Sequence, residues 1–344
     1  MELVSASQNR SIRAVNLTLS QSDILSAVTQ DSSFTSTANS VRGAINLVLI
    51  PILCFFGFVG NLVNMIVLRR YGFKETNILF LTSLSVADFL LTVFHALIRV
   101  RHIIEQFDIA AAFLIGSLTS IYLYTPYQMM VSINVCHITT IAVERAIAVC
   151  MPFRASNLFS RSRTKACIFF IYIFPVVMLS PALFLYQHQW VYSPVLNLTI
   201  AVGVETEFFQ VNREPVMIYL SMVVGNLFSS VVPFVIIACC LIVSLKLLKR
   251  QLNFLSKVTR KETKGLKGMK MLFSVCLVAI LIAVPGIVLV NYCTFSHMAP
   301  GVMYDLLIDI SNLLCQLHSS TNFIIYVTMS NKFLKAYKKL FCRF

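Results

Sequence analysis

Glu144 and Arg145 stand side by side at the end of a stretch that otherwise excludes charge. From Ile109 to Val143 there is no Asp, Glu, Lys or Arg, and the run then closes through Glu144, Arg145 and Ala146 to Pro152. An adjacent acid and base at the end of a membrane-length helix is costly and usually functional. The bland alternative is that Arg145 only snorkels to the interface beside Glu144. Asp88 falls in the middle of another apolar run. A carboxylate there suggests a bound cation, a proton or a switch. Enzyme chemistry has no matching pattern. There is no His-Glu-x-x-His pair, no Gly-x-Ser-x-Gly elbow and no P-loop, so the chain is read as a non-enzyme.

Helices must position these groups. At 100° per residue Asp88, Thr92, His95, Arg99 and His102 share one face of their segment. Asp305, Asp309, Asn312, Gln316, Ser319, Asn322 and Tyr326 share an arc of another. Tyr127, Asn134 and Arg145 share a face of a third. Lipid cannot solvate such seams, so they must face each other or a wet cavity. As helix contacts they would be weak glue, about 0.6 kcal/mol each.

Composition agrees with membrane helices. Of the 344 residues, 58% are hydrophobic and 12% charged, with mean hydropathy +0.80. A soluble domain carries about twice that charge. The net charge of +14 would suit nucleic acid, but most Lys and Arg fall in Arg69–Lys74, Arg154–Lys165, Lys246–Lys270 and Lys332–Arg343. These are alternate connections plus the tail, which is the positive-inside pattern, and a polybasic inner surface suits anionic membrane lipids rather than nucleic acid. The 10 cysteines lie mostly in or beside apolar runs and form no disulfide framework.

Seven segments can each cross a core about 30 Å thick: Ala44–Leu68, Asn77–Ile98, Ser117–Val149, Ala166–Gln187, Val216–Leu245, Met271–Tyr292 and Leu306–Met329. The expected architecture is an all-α membrane protein, a seven-transmembrane helix bundle over 44–329 with a short amphipathic C-terminal helix and tail over 330–344. Residues 1–43 read as an extracellular tail without a signal peptide. Asn9, Asn16 and Asn197 lie in glycosylation sequons. In the tail Phe333, Leu334, Tyr337, Leu340 and Phe341 alternate with lysines at helical spacing, as in an interfacial helix. Cys342 is either a palmitoylation site or an unmodified thiol.

The ordered set of markers resembles the rhodopsin-like (class A) G-protein-coupled receptors over Ala44–Phe344. Gly60-Asn61 and Leu84 to Asp88 match the first two helix motifs. Glu144-Arg145-Ala146 stands for Asp/Glu-Arg-Tyr, Pro233 and Pro285 for the kink prolines, and Asn322 to Tyr326 for Asn-Pro-x-x-Tyr. The resemblance implies a plasma-membrane receptor with its N-terminus outside, activating a heterotrimeric G protein. Glu144, Arg145, Asn322 and Tyr326 would form the coupling switch. Met151–Lys165 and Lys246–Lys270 would form the docking surface. Asp88, Asn134, His318, Ser319 and Asn322 would hold a sodium ion as allosteric modulator; no other cofactor is implied. The third inner loop and tail resemble invertebrate neuropeptide receptors of the FMRFamide type, and the relaxed motifs resemble molluscan chemosensory receptors.

Departures from that pattern predict differences. The cysteine expected atop the third helix is Ser120, and Gln187–Pro215 has no cysteine. Ile282-Ala283-Val284-Pro285 lacks the Trp of the sixth-helix motif, Leu241 stands for Tyr, and Phe323 for Pro. Tyr127 occupies the position of the amine-binding Asp, which argues against a biogenic amine. A ligand site is expected between the outer halves of helices two, three and seven. Arg99 and His95 would form a basic wall, Asp305 and Asp309 an acidic one, and Tyr124, Tyr127 and Gln128 the floor. Opposite walls suit a peptide or small polar molecule with both charge signs; alternatively Arg99 and Asp309 neutralise each other. The competing functional class is a ligand-gated channel or transporter with the seams lining a path.

Overall fold

Prolines shape the helices of this protein in a repeated way. Pro51, Pro233 and Pro285 each follow a five-residue π turn at the same offset, in Ile45–Leu49, Leu227–Val231 and Ala279–Ala283. A proline lacks the amide hydrogen and its ring collides with the carbonyl four residues back. The residue before each proline reaches one residue further instead: Ile50 donates to the Ile45 carbonyl, Val232 to Leu227 and Val284 to Ala279. The wider turn clears the ring and bends the helix. A fourth proline, Pro126, leaves the Tyr122 carbonyl without its usual donor, and the helix is interrupted at Leu123.

The computed structural model describes residues 34–71, 76–194, 198–255, 274, 276–296, 301–329, 334, 337 and 338. The elements are α1 (Phe34–Arg70), α2 (Thr76–Ile104), α3 (Ile109–Tyr122), α4 (Tyr124–Cys150), α5 (Pro152–Leu158) and α6 (Arg161–Leu179). A hairpin of β1 (Tyr186–Ser193) and β2 (Leu198–Glu205) follows, then α7 (Glu207–Val211). The chain ends in α8 (213–255), α9 (Cys276–Cys293) and α10 (Val302–Met329). Asn9, Asn16, Asn197, Cys342 and the stretch 256–273 of the basic loop lie outside the described residues. Of the tail helix, Leu334, Tyr337 and Lys338 are described as helical, with the Tyr337 ring 5.7 Å from Phe323.

Packing joins α1 to α2 and α10, α2 to α4, α4 to α8, and α9 to α10. Phe80, Leu84, Ile133, Ile138, Ile141 and Tyr326 are fully buried at the centre. Phe55, Phe56, Phe169, Phe170, Phe234 and Leu281 point outward and are exposed. A water-soluble surface would not carry so much apolar area, whereas lipid accepts it. Five described helices are long and apolar enough to cross a membrane: α1, α2, α4, α6 with its 3-10 extension, and α9. The fifth and seventh expected spans correspond to α8 and α10; α10 runs 28 residues, enough to cross, and its polar seam dilutes its hydropathy.

Several boundaries differ from expectation, and α2 and α8 run on to Ile104 and Leu255. Phe34 is already helical, so Ala44 lies inside the first helix. The third span, expected from Ser117 as one helix, is α3 plus α4, divided before Pro126 and begun at Asp108, whose carboxylate caps the amides of Ala110 and Ala111 at 2.9 and 3.0 Å. The fourth span stops short of Gln187, because Tyr186 already pairs with Glu205 in the hairpin. The hairpin adds a small β element to the expected all-α bundle.

Candidate functional site

At the inner end of α4, Glu144 and Arg145 are both buried, 7% and 9% exposed, and form a two-pronged ion pair through the Arg145 Nε and Nη2. The planar guanidinium matches a carboxylate in this way, giving direction as well as attraction. Ala146 and Val149 on the next turn pack on Val243 of α8, so the pair lies where α4 and α8 meet. Leu241 is 58% exposed on α8. An apolar side chain suits that outward position.

Asp88 of α2 is the hub of the buried polar seam. Its carboxylate accepts from Asn134 of α4 and, at 2.6 Å, from Nδ2 of Asn322 of α10, and the Ser319 hydroxyl donates to its backbone carbonyl at 3.3 Å. One turn outward, Gln316 donates to Thr92 at 3.1 Å and pairs with His95 Nδ1 at 3.0 Å. These seam residues bond to one another across α2, α4 and α10. Asn322 Oδ1 is buried with no hydrogen-bond partner. The oxygens of Asp88, Asn134, Ser319 and Asn322 are the hard donors a small cation takes. His318 Nε2, a nitrogen, suits it less and is likewise buried without a partner.

At the outer end the expected opposite walls close on each other. Asp309 accepts from Arg99 at 2.8 Å, Arg42 at 3.0 Å and Asn46 at 3.0 Å, while Arg42 also meets Asp305 at 3.1 Å. Arg99 further donates to Asn46 at 2.9 Å. This cluster ties α1, α2 and α10 together. The sequence does not point to Arg42, which falls in the expected tail, or to Asn46, whose partners lie on other helices. Arg99 and Asp309 are thus mutual partners, and with His95, Tyr124 and Asp305 they do not line the central cavity.

That cavity, about 310 Å³, lies deeper, among α2, α4, α6, α8, α9 and α10. Of the seven expected ligand residues only Tyr127 and Gln128 line it. Its wall is mostly apolar, with Val131, Leu220, Phe228 and Ile287, and its polar groups include Asn312, Ser311 and His318. No Asp, Glu, Lys or Arg is among the lining residues. Tyr127 holds the polar side by donating to Asn312 at 3.2 Å. Ala283, where the motif has Trp, also lines the cavity, so the missing indole leaves space there.

The lid over this region has no disulfide among the described residues, and Cys293 is a free, buried thiol. Packing serves instead. Ile121 of α3 reaches Gly203 of β2, where an added Cβ would sit 3.5 Å from it, and Tyr122 hydrogen-bonds His188 of β1.

The 7 transmembrane receptor (rhodopsin family) profile matches residues 60–326. The chain is 28% identical to the thyrotropin-releasing hormone receptor of Mus musculus over 131 residues, 38% of this chain. That stretch spans about a third, 32%, of the length of that receptor. It is 24% identical to the FMRFamide receptor of Drosophila melanogaster over 86% of this chain and 53% of that protein. It is 20% identical to the G-protein coupled receptor homolog Q2/3L of Sheeppox virus over 83% of this chain and 70% of that protein. With a match running from Gly60 in α1 to Tyr326 in α10, the chain belongs to the rhodopsin family of seven-transmembrane receptors.

Proposed function

We propose that this chain is a plasma-membrane receptor, N-terminus outside, that binds an extracellular peptide and activates a heterotrimeric G protein. The observation that carries the reading is the buried Glu144–Arg145 pair at the inner end of α4. A buried ion pair is expensive to keep unless it is exchanged for another set of contacts, and a docking protein can supply them. Met151–Lys165, with α5, and the end of α8 from Lys246 flank this end of the bundle. Asn322 and Tyr326 would carry the change between the Asp88 hub and the inner face.

In this reading a peptide places an uncharged, apolar side chain in the central cavity, against Tyr127 and Gln128, because no charged wall is available there. The FMRFamide receptor similarity favours a peptide over a small polar chemosensory ligand, as does the apolar wall. The Arg99–Asp309 cluster holds the helices rather than reading ligand charge. A sodium ion would be held by Asp88, Asn134, Ser319 and Asn322 and would neutralise the buried carboxylate. Asn9, Asn16 and Asn197 would carry glycans and Cys342 a palmitoyl chain. A channel or transporter is not supported, since the similarity is to receptors and Asp88, His95 and Gln316 bond to other seam groups across α2, α4 and α10.

The test is nucleotide exchange by purified G proteins added to membranes containing the chain, under a panel of short neutral and amidated peptides. Peptide-dependent exchange is expected. A peptide-evoked current in cells without G proteins, and no exchange, would refute the reading.

A further inference from the structure

A second cavity, about 400 Å³, opens at the outer ends of α1, α2 and α3. It is separate from the central one and is lined by Arg42, Leu47, Arg101, His102, Glu105 and Phe113 among others. Two counts give its height. About 20 helical residues cross the hydrocarbon. Going outward along α1 from Arg69 and Arg70, that length ends near Leu49. Along α2 from the inner end at Thr76 it ends near Leu97. Arg42 to Leu47 and Arg101 to Glu105 therefore lie at the level of the outer headgroups.

Charge at this cavity is not cancelled. Arg42 is engaged by Asp305 and Asp309, but Arg101 has no ion pair among the described residues. Its side chain lies across Gly116 of α3, where an added Cβ would stand 3.0 Å from Cδ and 3.3 Å from Nη1. The missing side chain thus makes the bed for the arginine. His102 Nε2 is buried without a hydrogen-bond partner, while its Nδ1 lies 3.7 Å from the Glu105 carboxylate. Glu105 is more than half exposed and open to a second cation. Ile109 and Phe113, 66% and 47% exposed, form an apolar rim.

We propose that this cavity binds the headgroup of a zwitterionic outer-leaflet phospholipid. Its phosphate sits on Arg101, its ammonium group faces Glu105, and its glycerol backbone lies against Ile109 and Phe113. A guanidinium supplies the forked donors that phosphate oxygens take. The apolar rim at headgroup height favours a lipid over a free phosphate ester.

Native mass spectrometry of the purified full-length chain tests this, with phosphatidylcholine, phosphatidylglycerol and diacylglycerol of identical acyl chains and with soluble phosphocholine. The wild type should retain one phosphatidylcholine, and diacylglycerol should be lost. Arg101→Gln should lower retention at least about tenfold, and Gly116→Val, which pushes Arg101 off its bed and keeps its charge, should lower it too. Glu105→Gln should erase the preference for phosphatidylcholine over phosphatidylglycerol. Equal retention of all three lipids, or unaltered retention in both the Arg101 and Gly116 variants, overturns the proposal. Binding of soluble phosphocholine with no lipid retained also overturns it, in favour of a free phosphate ester. No G protein or agonist enters the assay, so its outcome is independent of the signalling reading.

Discussion

Replacing Asp309 should loosen the outer end of the bundle by a calculable amount. Asp309 is only 5% exposed and accepts from Arg99, Arg42 and Asn46 within 3.0 Å. Asp309→Asn keeps the shape and removes the charge. Arg42 retains Asp305 and is partly solvated, so the main cost is Arg99, left 12% exposed without a counter-ion. Removing one partner of a buried pair costs about 3–5 kcal/mol, and the Arg99–Asn46 bond keeps this case near the lower end. The apparent melting temperature should fall on the order of 5–10 °C. A thiol-reactive fluorophore can follow unfolding, because the described cysteines are free and Cys54, Cys240, Cys276 and Cys293 are buried until the bundle opens. Variants must be compared at one scan rate, since unfolding of such proteins is commonly irreversible. Arg99→Met with Asp309→Leu should recover most of the loss, because an apolar pair replaces a buried ionic one at little cost. A fall under about 1 °C for Asp309→Asn, or no recovery in the double variant, would refute the account of this cluster as a clamp.

Other outcomes follow from single contacts. Gly57→Ala places a Cβ 2.7 Å from the Ser320 hydroxyl and 3.0 Å from Gln316, both held by hydrogen bonds, and should destabilise by about 1–3 kcal/mol. Gly43→Ala, with nothing within 4 Å, should stabilise by up to about 1 kcal/mol in the same melting assay. Ala283→Trp should fill part of the central cavity and reduce peptide potency roughly tenfold at unchanged surface expression, read as a dose–response shift. Asp88→Asn should abolish any rise in melting temperature that sodium chloride gives over choline chloride; an equal rise in the variant would remove the proposed cation site.

Periodicity carried much of the interior. Asp88, Thr92 and His95 on one face and Gln316, Ser319 and Asn322 on another do meet, because helices in lipid have nowhere else to put such groups. Which of them pair was not legible, since a helical face does not state its partner. Arg99 and Asp309 could be read as two walls or one bond, and only their 2.8 Å separation decides. Asp108 is a cap signal, but one Asp before an apolar run does not by itself fix where a helix begins. The hairpin is not legible although Val191, Ile200, Val202 and Val204 are β-formers, because its strands hang on Ile121 and Tyr122 of α3, distant in sequence. The π turns were hidden in the same way: Pro51 announces a disturbed helix, but how the backbone bends around it depends on the packing of α1 on α10.

The most direct measurement is nucleotide exchange by a reconstituted G protein with the wild type, Arg145→Ala and Glu144→Gln, at matched surface expression. If the buried pair is the switch, Arg145→Ala abolishes peptide-stimulated exchange, and Glu144→Gln, which frees the arginine, raises exchange without peptide. Wild-type exchange from Arg145→Ala, with no basal rise from Glu144→Gln, would contradict the assignment of the Glu144–Arg145 pair as the coupling switch.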